Sequence, residues 1–393
     1  MSGSGSEASS LASQRIDETL MNPSNGADSS MEILVICPYP LDTVPGQRLK
    51  YEQYLDFLRD QGYSISVHPF FSLNTYRILY KPGKSIHKLA GVIQGLLGRI
   101  ALVPHVSRAA GLYVFLNVVP VGPPWLEWLF LRLCKRCIYD IDDMVHMLRT
   151  TKVNRFAQAF KSSSRYFLLM GGADHVITCT PALDDLVRRY NSSTTDISST
   201  INTSSYLPVN SYANDHDLVI GWSGSHSTAP YLHLLDAVFQ ELSRHVRFKL
   251  LVMGTQAFEL SGVDVELVPW SVTAEIPTLQ RIDIGVYPLP NDSWVQGKSG
   301  LKALQYMALG IPTVATAIGC NDRVIEDGVS GFLVSTPEQW KAQLSQLLSD
   351  PQLRRTIGRN ARERVERFYS VDANKNTYLS IFESVYGKPA TVC

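Results

Sequence analysis

The sequence predicts an α/β protein built of two doubly wound halves, and three observations carry that reading. The chain has 393 residues, more than the roughly 100–200 of a single domain. Short β-branched and aromatic runs alternate with amphipathic helical stretches, the pattern of parallel strands covered by helices on both faces. Near residue 205 the pattern starts again, after a polar Ser/Asn/Asp-rich stretch at 202–217 that reads as a hinge.

The elements follow in order. Residues 1–30 hold nine serines, little apolar periodicity and no basic region ahead of a hydrophobic run. They read as a disordered leader and not as a secretory signal. The first half is assigned to 31–205. Its first strand, 33–37, runs into a loop with Pro38, Pro40 and Pro45 that is closed by Gly46. An amphipathic helix at 47–60 is stopped by Gly62 and followed by a strand at 64–68. Strands at 112–116, 137–141 and 175–178 alternate with helices at 123–134 and 181–190. The second half, 206–370, opens with a strand at 218–222, a small-residue loop and a helix at 229–243. Strands at 248–253, 265–268, 282–287 and 313–316 follow, with a helix at 299–309 before the last of them. Helices at 351–367 and 371–386 end the pattern. The second lies beyond a complete βα unit, and its apolar Tyr378, Leu379, Ile381, Phe382 and Val385 predict that it crosses back onto the first half.

Composition excludes several classes. The 36 basic and 36 acidic residues cancel, whereas a nucleic-acid protein carries a basic excess. The uncharged run 303–321 is broken by Gly310 and Pro312, and the run 109–126 by Pro120, Pro123 and Pro124. Neither reads as a spanning helix, so a soluble, cytoplasmic chain is expected. Of six cysteines only Cys134 and Cys137 are close. They end a helix and open a strand without a second pair or nearby histidines, which fits reduced thiols better than zinc or a redox motif.

Ligands of open α/β sheets bind beyond the carboxyl ends of strands, and three loops there are chemically loaded. In 38–48, Gly46 permits close backbone approach and Arg48 supplies a cation; the alternative is a tight turn with a surface arginine. The loop 221–227 offers Gly221, Gly224 and Ser225 but lacks the full Gly-x-Gly-x-x-Gly fingerprint of dinucleotide enzymes. The third loop, 292–300, opens a helix at about Ser299, with Gly300 and Leu301 next. Free amides and the positive end of the helix dipole make an anion site there. Lys298 and Lys302 lie four apart, where like charges repel until an anion neutralises them.

The segment from Asp292 to Gly310, with Gly297-Lys298-Ser299-Gly300-Leu301-Lys302-Ala303-Leu304-Gln305-Tyr306-Met307-Ala308 within it, resembles the donor-site motif of family 4 retaining glycosyltransferases of the GT-B fold, bacterial surface-polysaccharide members above all. Supporting runs are Tyr139-Asp140-Ile141-Asp142-Asp143, Asp283-Ile284-Gly285-Val286-Tyr287-Pro288-Leu289, Gly310-Ile311-Pro312-Thr313-Val314-Ala315, Gly328-Val329-Ser330-Gly331-Phe332-Leu333-Val334 and Gly358-Arg359-Asn360-Ala361-Arg362. The resemblance implies two Rossmann-like domains facing across a cleft, the first binding a glycan or lipid-linked acceptor, the second a nucleotide-diphosphate sugar. It implies hexose transfer with retention and without metal or other cofactor. Lys298, Lys302, Arg48 and the helix amides would stabilise the departing diphosphate. Gly46, Gly221, Gly224, Ser225, Ser299, Gly300, Leu301 and Gln305 would line the donor, with Trp270 beside the base. The family carries two glutamates eight apart where this chain has Gly297 and Gln305. Gln305 keeps a hydrogen-bonding group for a ribose, and Gly297 keeps none for the sugar.

Two further readings remain open at this level. Asp140, Asp142 and Asp143 could hold a divalent ion, but strand alternation sends Asp140 and Asp142 to one face at the cleft end of the strand. The resemblance favours contact with acceptor or donor-sugar hydroxyls there, with Asp142 as the catalytic candidate; a helix cap by Asp142 or Asp143 is the alternative. A nucleotide-sugar epimerase or hydrolase, or a degenerate nucleotide-sugar-binding protein, would share the fold. Residues 76–108 combine Lys81, Lys84, Lys88, Arg99 and Arg108 with apolar runs, and read either as a helix covering the sheet or as a peripheral contact with the inner face of a membrane.

Overall fold

The structure, a computed structural model, describes residues 32–145, 163–208 and 217–389. The expected leader at 1–30 lies outside them, as does 209–216 of the hinge. The apolar runs of the first half form β1 (Glu32–Cys37), β2 (Ser64–Pro69), β3 (Gly111–Phe115), β4 (Cys137–Asp140), β5 (His175–Thr178) and β6 (Thr194–Asp196). They make one parallel sheet in the order β2-β1-β3-β4-β5-β6, with Ile33 paired to Ile65 on one side and Gly111 on the other. The second half contributes β7 (Leu218–Ser223), β8 (Phe248–Met253), β9 (Asp264–Val268), β10 (Ile284–Tyr287), β11 (Thr313–Thr316) and β12 (Phe332–Val334). Its order is β12-β11-β10-β7-β8-β9, again parallel. The strand order therefore reverses between β1 and β3 in one sheet and between β7 and β10 in the other. Those switch points are where a crevice opens for a ligand.

The sequence pattern misses β6 and β12, three residues each and at the sheet edges. Thr194-Thr195-Asp196 is polar because an edge strand needs no burial on both faces. The expected helix at 47–60 is broken into a turn at Pro45–Arg48, a 3-10 turn at Glu52–Tyr54 and a helix at Leu55–Asp60. The helix expected from Ser299 begins at Leu301, because Gly300 takes φ 75° at its N-cap. That left-handed conformation is one glycine adopts without strain. Cys37, Cys134, Cys137, Cys179 and Cys320 are free thiols.

The C-terminal helix Val371–Tyr386 buries Tyr378, Ile381, Phe382 and Tyr386 in the core of the first half. Tyr378 stacks on Tyr54 with ring centroids 4.1 Å apart, Phe382 meets Tyr63 edge-on at 5.5 Å, and the Tyr386 hydroxyl donates to the Leu112 carbonyl. The chain thus crosses between the halves twice, and the crossings touch. Ile201 N–H donates to Tyr369 O at 2.8 Å, and Val371 N–H to Ile201 O at 3.1 Å.

Phe382→Ala should empty a fully enclosed site and cost about 3–5 kcal/mol, read as a lower urea midpoint. Phe368→Ala, at a position 47% exposed, should stay within about 0.5 kcal/mol. Equal effects would mean that the returning helix is not part of the first core.

Candidate active site

The second switch point is built from small residues and aromatic walls. β7 ends in Ser223, whose N–H donates to the Tyr306 hydroxyl at 2.7 Å, tying the strand end to the Leu301–Ala308 helix. The turn that follows is held by Thr228, whose Oγ1 accepts from Ser225 N–H at 3.2 Å. Lys302, in the first turn of the helix, reaches this turn and donates to Thr228 Oγ1 at 3.2 Å. Its ammonium lies 4.6 Å from the centre of the Trp222 ring and 5.3 Å from that of Tyr287. Among the described residues no carboxylate pairs with it. Burial, then the neighbouring charge of Lys298, pushes its pKa down to about 7. A desolvated cation at the positive end of a helix, with rings on two sides, is stabilised by an arriving anion.

Lys298 has a different environment from the one expected. It lies before the helix with extended backbone, not on the same turn as Lys302. Its Nζ is 2.6 Å from Asp143 Oδ2 of the first half and 4.0 Å from the centre of the Trp294 ring. The seam is tightest one residue earlier, where a Cβ at Gly297 would stand 2.9 Å from the Met144 backbone nitrogen. A glutamate does not fit there in this arrangement, which accounts physically for the missing carboxylate.

A second cluster joins Arg48, Trp270 and Gln305, three candidates from three separate segments. Arg48 forms an ion pair with Glu275, and its guanidinium lies 5.9 Å from the centre of the Trp270 ring. Trp270 Nε1 donates to Glu275 Oε1 at 2.9 Å, and the Tyr206 hydroxyl donates to Oε2 at 3.0 Å. Gln305 Nε2 donates to the Tyr206 hydroxyl at 3.0 Å. Glu275 and Tyr206 were missed from the sequence. The available signal was a carboxylate in the otherwise uncharged helix Val272–Leu279, four residues after its Ser271 cap.

The aspartates do not converge. Asp140, expected on the cleft face with Asp142, is fully buried beside Lys50 and accepts from the Tyr113 hydroxyl. Asp143 is taken by Lys298. Asp142 lies at the same seam, where a Cβ at Gly46 would stand 2.7 Å from its Oδ2. Burial, then repulsion from Asp143 and Asp140, pushes the Asp142 carboxyl up to about 7. Among the described residues no group of three or more His, Cys, Asp or Glu side chains is placed to hold a metal ion.

Three of the expected donor-loop residues turn to other partners. Gly221 lies inside β7, and its missing side chain makes room for Ile282 in the core. Ser299 is buried, its hydroxyl 2.7 Å from that of Ser199 in the first half, so it joins the halves and does not face the cleft. Leu301 packs against the apolar core of the second half. Gly224 and Ser225 remain at the open turn beside Lys302.

Comparison with known proteins agrees with this geometry. Residues 217–350 match the family model described as glycosyl transferases group 1. D-inositol 3-phosphate glycosyltransferase from Salinispora arenicola is 36% identical over 121 residues, 30% of this chain and 26% of that protein. The chain thus matches about a quarter of that relative's length. Sucrose-phosphate synthase from Thermosynechococcus elongatus superposes with a TM-score of 0.64 over 90% of this chain and 98% of the other, at 16% identity. HepE from Anabaena, in complex with UDP and glucose, gives 0.65 over 90% and 100%, at 14% identity. The fold is therefore the two-domain GT-B arrangement, and residues 217–350 of its second half are similar to glycosyl transferases group 1.

Proposed function

We propose that the chain is a glycosyltransferase that moves a hexose from a nucleotide-diphosphate sugar to a glycan or lipid-linked acceptor, with retention and without a metal. The observation that carries this reading is Lys302, a desolvated cation without an acidic partner among the described residues, at a helix start on the switch point of the second sheet. The group 1 match over the same segment and the sugar-nucleotide ligands of structural neighbours support it.

In this reading the diphosphate sits against Lys302, the turn at Gly224 and Ser225, and the first amides of the Leu301–Ala308 helix. The acceptor oxygen bonds to the anomeric carbon as the bond from that carbon to the phosphate oxygen breaks. The proton of the acceptor hydroxyl passes to the departing phosphate on the same face of the sugar. Negative charge grows on the leaving group, where fixed cations stabilise it most. Lys298 and Arg48 are held at the seam by Asp143 and Glu275 and can exchange those carboxylates for phosphate. Asp142, near neutrality in its pKa, hydrogen-bonds sugar or acceptor hydroxyls. Product formation followed with and without acceptor tests the reaction class: donor consumption that ignores acceptor would favour a hydrolase or epimerase, and binding without consumption a degenerate binder.

Lys302→Ala should lower turnover roughly tenfold to a hundredfold, the loss of a charge-assisted contact of ~1.5–3 kcal/mol. Adding Lys298→Ala should give less than the product of the single effects, since both serve one anion. Folding should be unharmed, because the helix dipole disfavours a cation there. Wild-type turnover in the double variant would place the donor elsewhere.

A pH signature also follows. Unliganded Lys302 has a pKa of about 7, and a bound diphosphate raises it toward the ordinary lysine value of about 10.4. Between these values binding takes up a proton, so diphosphate affinity should weaken as pH rises, by up to about tenfold per unit. Calorimetry at about pH 8 in buffers of different ionisation enthalpy should show uptake approaching one proton, lost in Lys302→Ala. Uptake unchanged in that variant would remove Lys302 from the anion site.

A further inference from the structure

The helix Ser85–Arg108 is apolar on both sides, a pattern a water-exposed helix does not tolerate. Its inner side is accounted for. Val92, Leu96, Leu102, Val103 and Val106 pack into the core of the first half. Gly91 and Gly95 let the helix approach Thr75 and Phe70 closely. Arg99 is buried, donating to Val118 O and Cys37 O, each at 2.9 Å.

Among the described residues the outer side has no such partners. Ile86 is 82% exposed, Leu89 60%, Ile93 48%, Leu97 62% and Ile100 46%, at spacings of three and four that put them on one stripe. The adjoining helix Trp125–Leu133 exposes Trp125 and Trp128 by about half, the residue type favoured at a membrane–water boundary. The charge around this stripe has one sign. From Gln61 to Leu126 the chain has no Asp or Glu, yet it carries Arg77, Lys81, Lys84, Lys88, Arg99 and Arg108, although the whole protein is balanced at 36 against 36. All of these except the buried Arg99 are exposed or half-buried.

We propose that this face docks on the surface of an anionic lipid bilayer, with the isoleucine and leucine stripe among the acyl chains and the lysines on the headgroups. By length and composition the helix could cross a membrane. Its inner side is built into the sheet and Arg99 at its middle is held by two protein carbonyls, so it lies on the bilayer instead. A second copy would bring the same cations face to face, whereas anionic headgroups neutralise them. The proposal does not rest on the glycosyl-transfer reading, since none of these residues belongs to the cleft.

Flotation with vesicles tests it. The full chain should float with vesicles containing phosphatidylglycerol, stay behind with phosphatidylcholine alone, and be released by high salt. Lys81→Glu/Lys84→Glu/Lys88→Glu should lower partitioning by roughly a hundredfold or more, and Leu89→Ser/Ile93→Ser/Leu97→Ser should abolish it. Both variants change exposed or half-buried side chains and should keep the wild-type melting curve. Three results would each overturn the proposal: no flotation of the wild type, flotation unaffected in both variants, or a stable dimer by light scattering that the serine variant dissociates. Resistance of the membrane-bound protein to alkaline carbonate extraction would overturn it too, in favour of a spanning helix.

Discussion

A parallel strand is stable only when covered on both faces, and in this chain that requirement ties the two halves into one molecule. One face of the first sheet is completed by the returning helix Val371–Tyr386, whose Tyr378 and Phe382 meet Tyr54, Tyr63 and Tyr113. The chain must therefore leave the second half and come back past Ile201, and the two crossings hydrogen-bond to each other. The joint is thus two chain crossings held by an isolated parallel β-bridge between Ile201 and Ser370. Such a joint restricts the direction in which the halves can move apart and keeps the loops of both switch points facing one another.

The seam between those loops is polar and largely neutralised in pairs. Lys298 meets Asp143, Arg48 meets Glu275, and Arg323 meets Asp196, each pair joining one half to the other. Partly buried charges are costly unless matched, so these contacts favour the closed arrangement seen here. Lys302 is different: it is desolvated, held between rings, and matched by no carboxylate among the described residues. Among the described residues, Lys302 is thus the cation of the cleft that is left unmatched, at the helix N-terminus where the proposed diphosphate would sit. In the proposed reading, closure and donor binding draw on the same cations.

The missing glutamate has a steric origin in the same seam. Gly297 lies against the backbone of Met144, and its bareness lets the second-half loop approach the end of β4. The carboxylates of the region are supplied instead by Asp142 at Gly46 and by Glu275 beneath Trp270. Asp142 comes from the first half and Glu275 from a neighbouring helix, so a site read only from the donor loop looks emptier than it is.

Much of this was legible in the residues. Apolar runs separated by glycine and proline mark ten of the twelve strands, because burial on both faces leaves a local compositional trace. The cationic helix start at Lys302 and the small-residue turn at Gly224 and Ser225 were visible for the same reason, being properties of adjacent residues. What the sequence could not show is who meets whom. Arg48 and Glu275 are 227 residues apart, Lys298 and Asp143 are 155 apart, and Asp140 turns inward to Lys50 while its neighbour Asp142 stays at the seam. No period or motif encodes such meetings. They follow from where two separately wound sheets come to rest, and that position is set by the summed packing of the returning helix and the seam. The sequence alone determined which chemical groups the cleft could contain. The tertiary structure decided which of the described groups are already neutralised and which stand without a partner of opposite charge.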